Sequence, residues 1–203
     1  MTHLLNRDLQ SFSTDVVDAT GLLSRTDLAW LSDNLVKVAR YLKVEGEVRC
    51  RIVADGEMLN LHTKFSEDPT TTDVLTFDLT EGGSAALAAA GQTPVLDVDL
   101  ILCLDEAGRQ AATRSQEPKR ELLLYSVHGI LHCLGHDDHE DEAHELMHKR
   151  EDEVLSAVGI GPIFADKAGA GPGSGSGSGF GSGSGFGSGS GSASCLPVPE
   201  AGR

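Results

Sequence analysis

Residues 117–135, EPKRELLLYSVHGILHCLG, place the strongest constraint on how this chain can fold. Apolar side chains dominate the segment, so a helix formed here belongs at the centre of the fold. Gly135 is a natural helix terminator and predicts where that helix ends. His128 and His132 are four residues apart, so the helix places both imidazoles on one face of an otherwise apolar stretch. Such a face is a poor place for solvated charge.

Two imidazoles with this spacing can form two legs of a tetrahedral zinc site, and the chain break after them allows a loop to return a third ligand. Asp138 and His139 are the candidates for that ligand. Three protein ligands leave a fourth position open for water, which is the arrangement of a zinc hydrolase. An exposed polar face, or imidazoles hydrogen-bonded in a core, would also place histidines here. The acidic, histidine-rich loop directly after Gly135 favours metal binding over both alternatives.

Other histidines of this region are interpreted differently. His144 and His148 are also four residues apart, but they stand among the acidic residues of EDEAHELMHKRE, residues 140–151. That setting is typical of a solvated helix face. His136 lies in the loop, close to the predicted metal.

The position beside the first histidine bears on the type of hydrolase. Zinc peptidases carry the motif HExxH, in which the glutamate is the general base. Gly129 occupies that position in this chain. A peptidase would therefore lack its usual base, and it is kept as an alternative.

Helical and strand patterns are mixed along the rest of the chain. Apolar spacing predicts helices in residues 24–44, 55–65 and 140–158, and alternation or short apolar runs predict strands in residues 47–55, 72–79 and 94–104. The mixture predicts an α+β fold, a compact single domain with a small mixed sheet packed by helices. The zinc site is expected at the end of the central helix.

Composition changes abruptly after Lys167, where a Gly/Ser-rich tract begins. Such a tract has almost no apolar surface to bury and much backbone entropy to lose, so we expect it to be disordered. The predicted organisation is a folded domain at residues 1–165 and a disordered tail at residues 166–203.

Charge and cysteine content narrow the class of protein. The formal net charge of −15 argues against broad adhesion to nucleic acid or to an anionic membrane, so an anionic substrate would need a local cation such as a metal. The four cysteines form no CxxC pair, which argues against a cysteine zinc site or a disulfide scaffold. No run approaches the ~18 apolar residues of a membrane span. We therefore expect a soluble, cytoplasmic protein with no membrane partner.

Two sequence blocks resemble those of the YbeY-type endoribonuclease family. VHGILHCLGHDDH is similar to the family motif HGxLHLxGyDH, and TTTDVLTFDL is similar to a second block of the form PTDVLSFP. The resemblance spans roughly residues 45–157. It implies a compact α+β fold with one zinc ion per chain and a single-strand-specific endoribonuclease of ribosomal RNA processing, ribosome maturation and quality control. Its implied partners are single-stranded rRNA precursors and ribosomal subunits or ribosome-associated proteins.

The resemblance also implies site residues, with two departures from the family pattern. His128 and His132 match the first two metal-binding, catalytic histidines, whereas the third falls by count on Asp138. We favour Asp138 as the ligand, with His139 hydrogen-bonding nearby. The family often carries an arginine directly after an aromatic residue. When Phe65 is aligned with that aromatic residue, Ser66 takes the place of the arginine, and Lys64 is the adjacent cation. Ser66 and Lys64 are therefore the candidate substrate-binding residues. A noncatalytic ribosome-assembly factor with a structural metal is the remaining alternative.

Overall fold

Strands and helices alternate along the part of the chain that the computed structural model describes, residues 12–164 and the short strand at 195–196. The elements are β1 Phe12–Asp18, α1 Arg25–Leu42, β2 Glu45–Val53, α2 Asp55–Ser66, β3 Val74–Asp78, α3 Ser84–Ala89, β4 Val95–Cys103, α4 Leu104–Arg114, α5 Pro118–Cys133, α6 Asp141–Ala157 and β5 Cys195–Leu196. This arrangement confirms the predicted α+β class.

The sheet is mixed, with the strand order β1-β2-β4-β3-β5. Strands β1, β2 and β4 run parallel, whereas β3 is antiparallel to β4. Strand β5 lies parallel to β3 on its other side. The sequence predicted β2, β3 and β4 but neither β1 nor β5. It also missed the short helix α3 and the helix α4.

Alternate residues of each strand point to opposite faces of the sheet. Helices cover these two faces unequally. The larger core joins one face to α1, α5 and α6 and includes Leu35, Leu100, Ile130 and Val154. The smaller cluster joins the other face to α2 through Met58. Helix α5 thus lies at the centre of the larger core, where its apolar sequence predicts it.

Helix α5 begins with Pro118 at its first turn, a position that requires no backbone donor. At its other end Gly135 has a φ of 92°, in the left-handed region. The amides of Gly135 and His136 donate to the carbonyls of His132 and Leu131. This pair of bonds is the Schellman arrangement that ends helices at glycine, and it turns the following loop back alongside α5.

The proposed Gly/Ser tail lies mostly outside the described residues, as does the start of the proposed domain, residues 1–11. Within the tail the structure describes only β5. Among the described helices, none combines the length and hydropathy needed to cross a bilayer.

Candidate metal centre

Three side chains from α5 and the loop after it converge on one point. Nε2 of His128 and Nε2 of His132 lie 3.0 Å apart. Asp138 returns from the loop, with Oδ2 at 3.6 Å from His128 Nε2 and Oδ1 at 3.6 Å from His132 Nε2. All three ligand atoms lie within 4.8 Å of one another, close enough to hold one metal ion.

Hydrogen bonds on the far side of each ring determine which nitrogen faces the cluster. Nδ1 of His128 donates to Oε1 of Glu151 at 2.7 Å, and Nδ1 of His132 donates to the carbonyl of His136 at 3.0 Å. In the neutral tautomers assigned from these partners, both Nε2 atoms carry lone pairs. Two lone pairs and a carboxylate therefore face one another.

This donor set fits a divalent cation. Ligands at about 2.0–2.2 Å in a tetrahedral site are separated by roughly 3.3–3.6 Å, close to the observed distances of 3.0, 3.6 and 3.6 Å. Asp138 Oδ1 is buried without a hydrogen-bond partner, which is costly unless a cation neutralises it. Two imidazoles and one carboxylate are also a known zinc ligand combination.

Glu151 is a site residue that the sequence reasoning placed on a solvated face. It is only 2% exposed, and its carboxylate reaches His128 from α6. Metal-binding histidines almost always donate their second N–H to such an acceptor, which fixes the ring and raises its basicity. The signal was present in the sequence, because Glu151 follows Met147 by four residues and precedes Val154 by three, on the apolar stripe of α6.

Two nearby carboxylates shape the electrostatics around His128. Burial raises the pKa of Asp73 and of Glu151, and the nearby His128 opposes that rise in both. Burial disfavours the protonated form of His128, but the hydrogen bond to Glu151 and the charges of Glu151, Asp73 and Asp138 together outweigh burial and raise the pKa of His128. Burial is the main cause that lowers the pKa of His132, and the nearby His128 adds to it. The lowered pKa favours the neutral form that binds metals.

Gly129 packs directly against the sheet, which explains why it follows His128. A Cβ added there would lie 2.6 Å from Oγ1 of Thr76 and 2.8 Å from Cδ2 of Leu100. Glycine inside a helix costs about 0.5–1 kcal/mol relative to alanine, so it indicates a packing requirement. A glutamate in this position would collide with β3 and β4. The peptidase alternative therefore lacks both the base and the space for it.

The other predicted site residues lie apart from the three converging side chains. His139 is exposed, contacts Asp137 through Nδ1 and lies 4.0 Å from Asp138 Oδ1. Lys64 and Ser66 are exposed in the last turn of α2, which packs on the opposite face of the sheet. Among the described contacts, no hydrogen bond or ion pair joins Lys64 or Ser66 to His128, His132 or Asp138.

Four further basic residues, which could in principle contact RNA, take part in intramolecular bonds. Arg109 pairs with Asp55 and Glu106, Arg114 with Glu121, and Lys119 with Asp27 and Glu117, while Arg120 donates to the carbonyl of Ile160. These bonds stabilise the fold rather than leave the cations ready for phosphate.

Comparison with known proteins identifies similar sequences. A family profile described as endoribonuclease YbeY matches residues 20–159. The curated endoribonuclease YbeY of Bacillus subtilis is 32% identical over 155 residues, covering 74% of this chain and 98% of that protein. The Chloroflexus aggregans protein of the same name is 37% identical over 115 residues, covering 56% and 74%. A solution structure of a Thermotoga maritima protein aligns with a TM-score of 0.48 at 22% identity, covering 72% and 90%.

Proposed function

The chain belongs to the endoribonuclease YbeY family, and from that premise we propose that it is a zinc-dependent endoribonuclease specific for single-stranded RNA. Its substrates in this proposal are ribosomal RNA precursors. Its place is in ribosome maturation and quality control in the cytoplasm, with ribosomal subunits or ribosome-associated proteins as partners. One Zn²⁺ ion is bound per chain.

The observation that carries the proposal is the convergence of two imidazole nitrogens and one carboxylate within 4.8 Å of one another. His128, His132 and Asp138 are the proposed ligands, and the two histidines are catalytic because they hold the metal. A chain with a net charge of −15 repels a polyanion, so a local cation is needed where a phosphodiester must sit. The convergent donors supply such a place.

When bound, the zinc ion supplies Lewis-acid stabilisation of charge developing on the phosphodiester and an activated water molecule. The protein's own side chains determine where that chemistry occurs. Glu151 holds the ring of His128 so that Nε2 faces the centre, and the carbonyl of His136 does the same for His132. Asp138 contributes a negative charge that offsets part of the charge of the cation.

Lys64 and Ser66 are the proposed substrate contacts away from the metal. Ser66 stands where the family often has an arginine, and Lys64 supplies a cation two residues earlier in the same helical turn. The Lys64 ammonium lies 4.9 Å from the centroid of the Phe65 ring, so it is held beside an aromatic surface.

The test is to incubate the zinc-loaded protein with single-stranded rRNA and, separately, with casein. Cleavage of the RNA alone is expected, and a chelator should abolish it. Casein cleavage would indicate a peptidase, and activity on neither substrate would favour an assembly factor with a structural metal.

A further inference from the structure

One face of α6 leads from the metal centre out to solvent. Glu151, His148 and His144 are three and then four residues apart, so they lie on one side of the helix. Burial decreases along this row, from the buried Glu151 through the half-buried His148 to the exposed His144. Glu151 bonds directly to His128, so this row of residues begins at the centre, and His148 and His144 lie successively farther from it along α6.

The rings on this face form a column with Phe164, in the segment that follows α6. His148 stacks on Phe164 with ring centroids 3.8 Å apart and an interplanar angle of 11°. His144 packs against the column at 4.1 Å from His148, and Arg114 covers Phe164 at 5.3 Å. The pattern EDEAHELMHKRE predicted a solvated face, and that interpretation is wrong for His148.

Neighbouring bonds hold the column in place. Asp152 accepts hydrogen bonds from the amides of Ile163 and Phe164, at 2.6 and 3.1 Å from Oδ1, and these bonds fix the segment that carries the Phe164 ring. Arg114 pairs with the fully buried Glu121. Burial, followed by the proximity of His144 and His128, lowers the pKa of His148 to about 4, so its ring is neutral at pH 7.

We propose that His144, at the outer end of this column, is a stacking subsite for an unpaired nucleobase next to the phosphodiester that is cleaved. RNA-binding proteins select single strands by stacking unpaired bases on aromatic side chains, including histidine. A base within a duplex offers no free face to such a ring. The subsite thus gives a physical source for single-strand specificity, and it rests on the proposed function.

The experiment uses the full-length protein and 2′-O-methylated single-stranded oligonucleotides, which bind without being cleaved at a ribose 2′-hydroxyl. Each oligonucleotide has one abasic nucleotide, placed at successive positions. For the unaltered protein, an abasic nucleotide at one particular position should weaken binding by about 5- to 150-fold, the range for the loss of one stacked base. His144→Ala should weaken binding of the intact oligonucleotide similarly and abolish the effect of that position, because the two changes remove the same contact.

Two variants serve as matched controls. Leu146→Ala changes a 60% exposed, uncharged neighbour on the same helix and should leave affinity unchanged. His144→Phe keeps an aromatic face and should retain most of the affinity. Zinc content should be the same in all of them.

Three results would overturn the subsite: equal effects of His144→Ala and Leu146→Ala, an abasic effect that persists in His144→Ala, or loss of zinc from His144→Ala. Failure of the proposed function is distinguishable from these. A protein that shows the abasic pattern but cleaves no unmodified RNA would retain the subsite without the nuclease.

Discussion

Nδ1 of His128 and Oε1 of Glu151 lie 2.7 Å apart, so a carboxylate on α6 orients an imidazole on α5 through the ring nitrogen that faces away from the metal centre. Glu151 is almost wholly buried and its other oxygen, Oε2, has no hydrogen-bond partner. A buried charge with a single partner is costly to maintain. Its position is therefore best explained by its effect on His128.

Replacing this carboxylate should weaken metal binding. Glu151→Ala should lower zinc affinity by about 10- to 100-fold, because the ring loses the acceptor that fixes its orientation and tautomer. Glu151→Gln keeps an acceptor without the charge and should fall between Ala and the unaltered protein. Competition with a zinc-binding dye measures the affinity. Glu145→Gln, a change of an exposed glutamate on the same helix, should have no effect, and an unchanged affinity in Glu151→Ala would contradict the role given to this residue.

The packing of Gly129 gives a prediction about stability. Gly129→Ala should destabilise the protein, since overpacking against Thr76 and Leu100 costs about 1–3 kcal/mol and exceeds the ~0.5–1 kcal/mol that alanine gains in a helix. Denaturant unfolding measures the change. Gly108 lies in α4 with nothing within 4 Å of an added Cβ, so Gly108→Ala should be neutral or stabilising. The account of this site is wrong if both variants gain stability alike.

The third ligand can be tested by comparing two single variants. The structure brings Asp138 to the two histidines and leaves His139 exposed beside Asp137. Asp138→Ala should therefore lower zinc affinity by more than the ~10- to 100-fold of an indirect effect, whereas His139→Ala should retain the metal. Release of zinc by His139→Ala, with retention by Asp138→Ala, would reverse the assignment.

Stability should depend on pH through His148. Its pKa is lowered from 6.5 to about 4 in the folded chain, so between these values the unfolded chain binds the proton more strongly. The contribution of this residue is present above pH 6.5 and is lost as the pH falls towards 4. The free energy of unfolding of His148→Phe should fall less between pH 7 and about pH 5 than that of the unaltered protein. Parallel curves for the two proteins would contradict the lowered pKa.

Local sequence patterns predicted the central elements of the fold well. The apolar segment before Gly135 predicted α5 and its end, because a glycine with positive φ terminates a helix by local geometry. Strand β1 was missed because its sequence, FSTDVVD, offers few apolar residues, and even its inner side is only half-buried. Helix α4 was missed because its buried face consists largely of small residues, such as Ala107 and Ala111.

At the candidate site, the histidine spacing on one helix could be predicted, but contacts between separate elements could not. The pairing of Glu151 with His128 depends on how α6 packs against α5, and the stacking of His148 on Phe164 depends on where the chain turns after α6. Local patterns do not encode such tertiary packing. The assignment of Lys64 and Ser66 to substrate binding stays a prediction.

The central claim is that His128, His132 and Asp138 hold a metal on which RNA cleavage depends. The most direct measurement is the zinc content of the purified protein by elemental analysis, together with its cleavage of single-stranded rRNA, for the unaltered chain and for His128→Ala. We predict one zinc ion per chain and cleavage for the unaltered protein. His128→Ala should lose both, because two remaining ligands cannot hold a tetrahedral site. Full nuclease activity in a zinc-free His128→Ala protein would contradict the account.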